Sequence, residues 1–170
     1  MTELIIAVGF IVLCLAVLKK RPRAAAVLLS IYVISLVWLA LLARKPSPDA
    51  RYNLELFGAL RRGFRGMLAG TTDASKTGSV MEVILNILVF IPAGLLLPHI
   101  VHRIDRWWKA ALTGFALSLA IEVIQLVTHL GFFDIDDLFD NTLGALLGWL
   151  MFCRIIRRSN EQDPAINDRG

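Results

Sequence analysis

The side chains able to do chemistry in this chain are few, and they recur at helical spacing. Ser118, Glu122, Gln125 and His129 lie at offsets 0, 4, 7 and 11, a single stripe along a helix. Glu82 and Asn86, four residues apart, share a face of another helix, and Asn141 stands beside Gly144 and Gly148 on a third. Between the last two helices lies an acidic stretch, Gly131 to Asp140, with Asp134, Asp136, Asp137 and Asp140 and no basic residue. Carboxylates and amides in this combination accept and donate hydrogen bonds to a polar ligand. The spacing Asp136-Asp137-x-x-Asp140 also imitates the aspartate pattern with which prenyl-diphosphate enzymes hold Mg²⁺, and such oxygen donors, Asp134 included, suit Mg²⁺ or Ca²⁺. No second aspartate-rich segment accompanies it. No Ser or Cys nucleophile with a base and no phosphatase-like Lys/Arg/His constellation is present, so the pattern leans away from an enzyme.

These polar residues need elements that hold them, and the composition says what the elements are. The chain has 170 residues, of which 56% are hydrophobic and only 19% charged. Soluble domains average about 45–50% apolar and about 25% charged. Here the apolar excess is gathered into runs at Leu4 to Leu18, Ala24 to Ala43, about Ser79 to Val101, Trp107 to about Leu130 and about Leu138 to Ile156. A bilayer core is crossed by about 20 apolar helical residues. The expectation is therefore an all-α polytopic membrane protein, a bundle of about five transmembrane helices, with residues 1–156 as one domain and 157–170 as a flexible cytoplasmic tail. Cys14 and Cys153 sit in apolar helix at no metal-binding spacing and read as packing residues.

Lysine and arginine set the orientation. The first run has no cation before it and Lys19, Lys20, Arg21 and Arg23 after it, the reverse of a secretion signal. With the N-terminus outside and the C-terminus inside, eleven cations fall on the cytoplasmic side and seven on the other, all seven in the second loop. The net charge of +4 thus reflects membrane anchoring, and no nucleic-acid partner is needed to explain it. Within the second loop, Phe57, Leu60, Phe64, Met67 and Leu68 alternate at helical spacing with Arg61, Arg62 and Arg65, which predicts an amphipathic interfacial helix over Tyr52 to Leu68 that touches membrane lipids. Thr71 to Gly78 reads as a flexible link, and Pro92 with Gly94 is expected to bend the third span or free its carbonyls.

Depth brings the polar groups together. An ionised side chain near a helix centre costs about 2.5–3.5 kcal/mol to insert, so such residues face protein or water and mark function. Asn86, Glu122 and Asn141 all fall in the outer half of the membrane under this topology, beneath the acidic stretch. As alternatives, Asp137 or Asp140 would cap the last helix, and Asn86 and Gln125 would be interhelical glue.

In order along the chain, Asn86-Ile-Leu-Val-Phe-Ile-Pro-Ala-Gly94, Glu122-x-x-Gln125, Phe133-Asp-Ile-Asp-Asp137 and Asn141-Thr-Leu-Gly144 resemble the motifs of the VanZ-like family. Upstream, Arg51-Tyr-Asn53-Leu-Glu-Leu-Phe57 is similar to that family's Asn-Leu-x-Pro-Phe element, with Leu56 where proline is usual. The resemblance spans roughly residues 30 to 155. It implies a small bacterial protein of the cytoplasmic membrane, linked to tolerance of teicoplanin-type glycopeptides, without an established reaction. Carried over residue by residue, it implies ligand-binding roles for Asn53, Asn86, Glu122, Gln125, Asp134, Asp136, Asp137 and Asn141, and Arg51 joins them as the cation for a lipid phosphate. The expected ligand is a lipid-linked cell-wall precursor or a lipoglycopeptide, with no cofactor unless the aspartates hold Mg²⁺ or Ca²⁺. The alternatives are an Mg²⁺-dependent enzyme acting on a prenyl-phosphate lipid and a purely structural or assembly protein.

Overall fold

The computed structural model describes residues 2–20, 22–38, 51–68 and 74–162. Helices α1 (Thr2–Lys20) and α2 (Ala25–Val37) are joined by a short 3-10 turn at Pro22–Ala24. After strand β1 (Arg51–Asn53) come α3 (Gly58–Leu68), α4 (Ala74–Ile100) and α5 (Trp107–Thr128), then strand β2 (Phe132–Asp134) and α6 (Ile135–Gln162). The architecture is all-α, with one two-stranded ribbon that the apolar pattern did not announce. Two helical segments, Val80–Ile100 and Trp107–Thr128, are long and apolar enough to cross a membrane, while Thr2–Leu18 and Ala25–Val37 are shorter apolar helices.

Several expected boundaries move, each for a local reason. The amphipathic helix expected over Tyr52 to Leu68 begins at Gly58, because residues 51–53 are extended and Phe57 takes a left-handed φ of 58° that no helix can include. Residues 74–78, read as link, form the first turns of α4. Helix α4 runs unbroken through Pro92 and Pro98, each of which leaves one carbonyl of the preceding turn without its helical N–H donor. The stretch from Ile135 onward is helix rather than loop. At its far end α6 continues to Gln162, beyond Ile156, and residues 163–170 lie outside the described residues together with 39–50 and 69–73.

Helix α6 packs mainly on α4 and also on α5, and it reaches α4 closely because glycine lines the seam. A Cβ at Gly94 would strike the Ala145 carbonyl, and one at Gly144 or Gly148 would strike the carbonyls of Ile87 or Ile91. Backbones thus meet directly, the small-residue packing that favours close helix pairs in lipid. On the other side of α4, Cys14 and Leu18 of α1, Ala25, Leu28 and Tyr32 of α2, and Ala93, Leu95 and Leu96 form the buried apolar core. Cys14 is fully buried there, as a packing residue would be. The outer faces of α1, α2 and α5 are apolar and open: Ile5 is 67%, Ile34 70% and Val127 72% exposed. At the end of α4 remote from the ribbon, the Trp149 indole donates to the Ile104 carbonyl at 3.1 Å and ties α6 to the α4–α5 turn.

Candidate functional site

The stripe on α5 is buried as its period requires. Ser118, Glu122 and Gln125 are 0%, 2% and 2% exposed, whereas His129 leaves the stripe and is exposed. His129 ends the helix instead: its φ of 57° is left-handed, its N–H donates to the Leu126 carbonyl, and the Leu130 N–H donates to the Gln125 carbonyl at 3.0 Å. This pairing of the last carbonyls is a Schellman termination. It turns the chain sharply, so that β2 comes back beside the helix end.

There Asp134 performs two tasks. One carboxylate oxygen accepts from the Asp136 N–H at 2.9 Å, which makes Asp134 the N-cap of α6. The other accepts from the Asn53 amide at 3.0 Å. The Asp134 N–H in turn donates to Glu122 at 2.9 Å, so a buried carboxylate on α5 holds the start of α6. Asp136 and Asp137 occupy the first turn of α6, where the positive end of the helix dipole favours anions.

Asn53 is delivered by the ribbon. Strands β1 and β2 run parallel, pairing Arg51 with Phe132, Tyr52 with Phe133 and Asn53 with Asp134. A parallel pair needs a long crossover, here the whole of α3, α4 and α5. Asn53 Oδ1 also accepts the Glu55 N–H at 3.1 Å, which turns the chain after the strand. The Phe57 N–H then reaches the Asp136 carboxylate, and the Phe57 ring meets Phe139 edge-to-face at 5.1 Å between centroids. Residues 51–57 are therefore strapped across the α5–α6 corner by backbone, amide and ring contacts at once.

A second thread runs deeper. The Asn86 amide on α4 donates to Asp137 at 2.6 Å, and the Asn141 amide on α6 donates to the Ser118 hydroxyl at 2.8 Å. Ser118 in turn donates to the Asp137 carbonyl at 3.4 Å. Three helices meet at these groups, and Asn141, Asp136 and Asp140 are all buried. The structure thus gathers Asn53, Asn86, Glu122, Asp134, Asp136, Asp137 and Asn141 into one network, with Gln125 and Asp140 buried alongside. The Arg51 side chain lies outside the described residues, and Glu82 is exposed. Phe57 and Ser118 belong to the network although neither was assigned a ligand-binding role; Ser118 stood in the sequence at the head of the α5 stripe.

The carboxylates are held mostly by neutral donors and face different ways, Asp134 toward Asn53, Asp136 toward Phe57 and Asp137 toward Asn86. Among the described residues no group of three His, Cys, Asp or Glu side chains is arranged to hold a metal ion. A small crevice, lined by Ala93, Gly94, Leu97, Thr113, Gly114 and Ala145, includes none of the network residues.

Fold and network together define an all-α protein with two membrane-length apolar helices and a polar joint where three helices meet under an extended strap. The VanZ/LLP1 family model matches residues 29–157, and the chain belongs to that family. It is 34% identical to Protein VanZ of Enterococcus faecium over 126 residues, 74% of this chain and 71% of that protein. No solved structure matches the fold.

Proposed function

We propose that this chain is a multi-pass protein of the bacterial cytoplasmic membrane, N-terminus outside and C-terminus inside, that lowers susceptibility to teicoplanin-type glycopeptides by recognising an amphiphilic envelope ligand. In this reading α1, α2 and α6 join α4 and α5 as spans, and the ligand is a lipid-linked cell-wall precursor or the lipoglycopeptide itself. The observation that carries it is the burial of six polar side chains, Ser118, Glu122, Gln125, Asp136, Asp140 and Asn141, at one end of the bundle. Ionisable and polar side chains are costly within membrane spans and mark functional sites by default. Carboxylates and amides under a strap of residues 51–57 would suit amide and hydroxyl groups of a cell-wall precursor.

The test is teicoplanin susceptibility of cells making the protein with Asn86→Ala, Glu122→Gln or Asp137→Asn, with membrane protein levels measured in parallel. Recognition requires that tolerance falls while the protein is made at the parent level. Full tolerance in all three sinks the reading. A structural role is the second reading, favoured because Glu122, Asp134, Asp136 and Asp137 each already accept a hydrogen bond within the protein. It requires instead that the same variants are lost from the membrane.

A further inference from the structure

Helix α3 carries no acidic residue and three exposed arginines, Arg61, Arg62 and Arg65. At about 100° per residue, Arg61, Phe64 and Leu68 fall within about 60° of one another, with Arg65 and then Arg62 on one flank. Phe64 is 59% and Leu68 74% exposed although α3 packs on α4. The open apolar surface continues backwards through Phe57, Leu56, Leu54 and Tyr52, all exposed. An apolar stripe with cations along one edge is the arrangement of a helix lying in a headgroup layer, rings among acyl chains and guanidinium groups at phosphate depth.

Glu55 adds detail. Its carboxylate pairs with Arg61 and stands 3.9 Å from Arg62, each about half exposed. Arg65 forms no ion pair among the described residues. Three arginines against one glutamate leave two net positive charges on the segment. Glu55 orients the first two guanidinium groups without neutralising the face, and among the described residues no carboxylate is paired with Arg65.

We propose that Tyr52–Leu68 is a docking platform for anionic phospholipid, with Phe64 and Leu68 inserted and Arg61, Arg62 and Arg65 on the lipid phosphates. It rests on the membrane reading but shares no ligand with the polar network, since the platform faces bulk lipid. Because the same segment carries the Asn53 and Phe57 contacts, lipid on α3 would also hold the strap in place.

Hydrogen–deuterium exchange of the full chain in nanodiscs tests it, comparing pure phosphatidylcholine with phosphatidylcholine containing phosphatidylglycerol. At roughly fivefold per net positive charge, α3 amides should exchange roughly 25-fold more slowly with phosphatidylglycerol. R61Q/R62Q/R65Q should abolish that difference, and high salt should reduce it. Should the triple variant lose protection in α4–α6, R65Q alone is the measure, with about a fivefold loss expected. Equal exchange of α3 in both lipids overturns the proposal, as does inorganic phosphate in phosphatidylcholine discs reproducing the full effect. Teicoplanin susceptibility is not read, so failure here is distinct from failure of the recognition test.

Discussion

Replacing Asp134 separates its two tasks. Asp134→Ala removes an N-cap worth about 1 kcal/mol and a hydrogen bond to a charged acceptor worth about 1.5–3 kcal/mol, roughly 3 kcal/mol together. Asp134→Asn keeps the cap, since Asn caps as well as Asp, but its one oxygen cannot serve both donors and its NH2 group faces the Asn53 amide, so the Asn53 bond is lost and about 2 kcal/mol is expected. For a chain of this size 1 kcal/mol moves Tm by about 2–4 °C, which sets about 6–12 °C for alanine against about 4–8 °C for asparagine. Thermal unfolding of purified protein, followed by near-ultraviolet circular dichroism, reads the order. Combining Asp134→Ala with Asn53→Ala completes a double-mutant cycle, and their effects should fall short of additivity by at least about 0.5 kcal/mol. Equal losses for alanine and asparagine would refute the capping role. Full additivity would refute the Asn53–Asp134 bond and with it the reason residues 51–57 are held at the corner.

Glycine 148 and glycine 9 form a contrast. Gly148→Leu drives a side chain into the Ile91 carbonyl and the Leu95 amide and should cost at least about 3 kcal/mol or prevent folding, whereas Gly9→Ala meets nothing within 4 Å and should stabilise α1 by up to about 1 kcal/mol, both checked by Tm. At Phe57 the usual order should invert. Alanine loses the Phe139 contact, about 0.5–1.5 kcal/mol, and keeps the left-handed strain, while glycine loses the same contact but removes about 1 kcal/mol of strain, so Phe57→Gly should melt above Phe57→Ala. The Lys109 hydrogen bond holds the Asp105 carboxyl below its ordinary range. Because the folded value is the lower one, this pair's contribution is present above the unfolded pKa and lost as pH falls through the folded value. A carboxyl-carbon NMR titration should show Asp105 titrating low, and Lys109→Met should return it to the ordinary range.

Much of the site was legible because lipid-length apolar runs make polar exceptions conspicuous. Glu122 and Gln125 are buried as their period on α5 demanded, and Asn86 and Asn141 face the protein from α4 and α6. His129 shared that period but not that fate, since helical spacing says nothing about where a helix ends. Gly94 stood out beside Pro92 as a place where the helix could bend; the structure shows in addition that the α6 backbone closes on it there. Phe57 enters the network through its N–H, which no side-chain pattern reveals.

Sequence alone determined the local terms: helices from long apolar runs, their buried faces from polar period, and family membership from ordered motifs, because each depends on residues within a few turns. Which aspartate did which work was decided only in three dimensions. Asp134, Asp136 and Asp137 are near neighbours with the same chemistry. The parallel pairing of residues 51–53 with 132–134, across some eighty residues of chain, gave the first to Asn53, the second to Phe57 and left the third for Asn86.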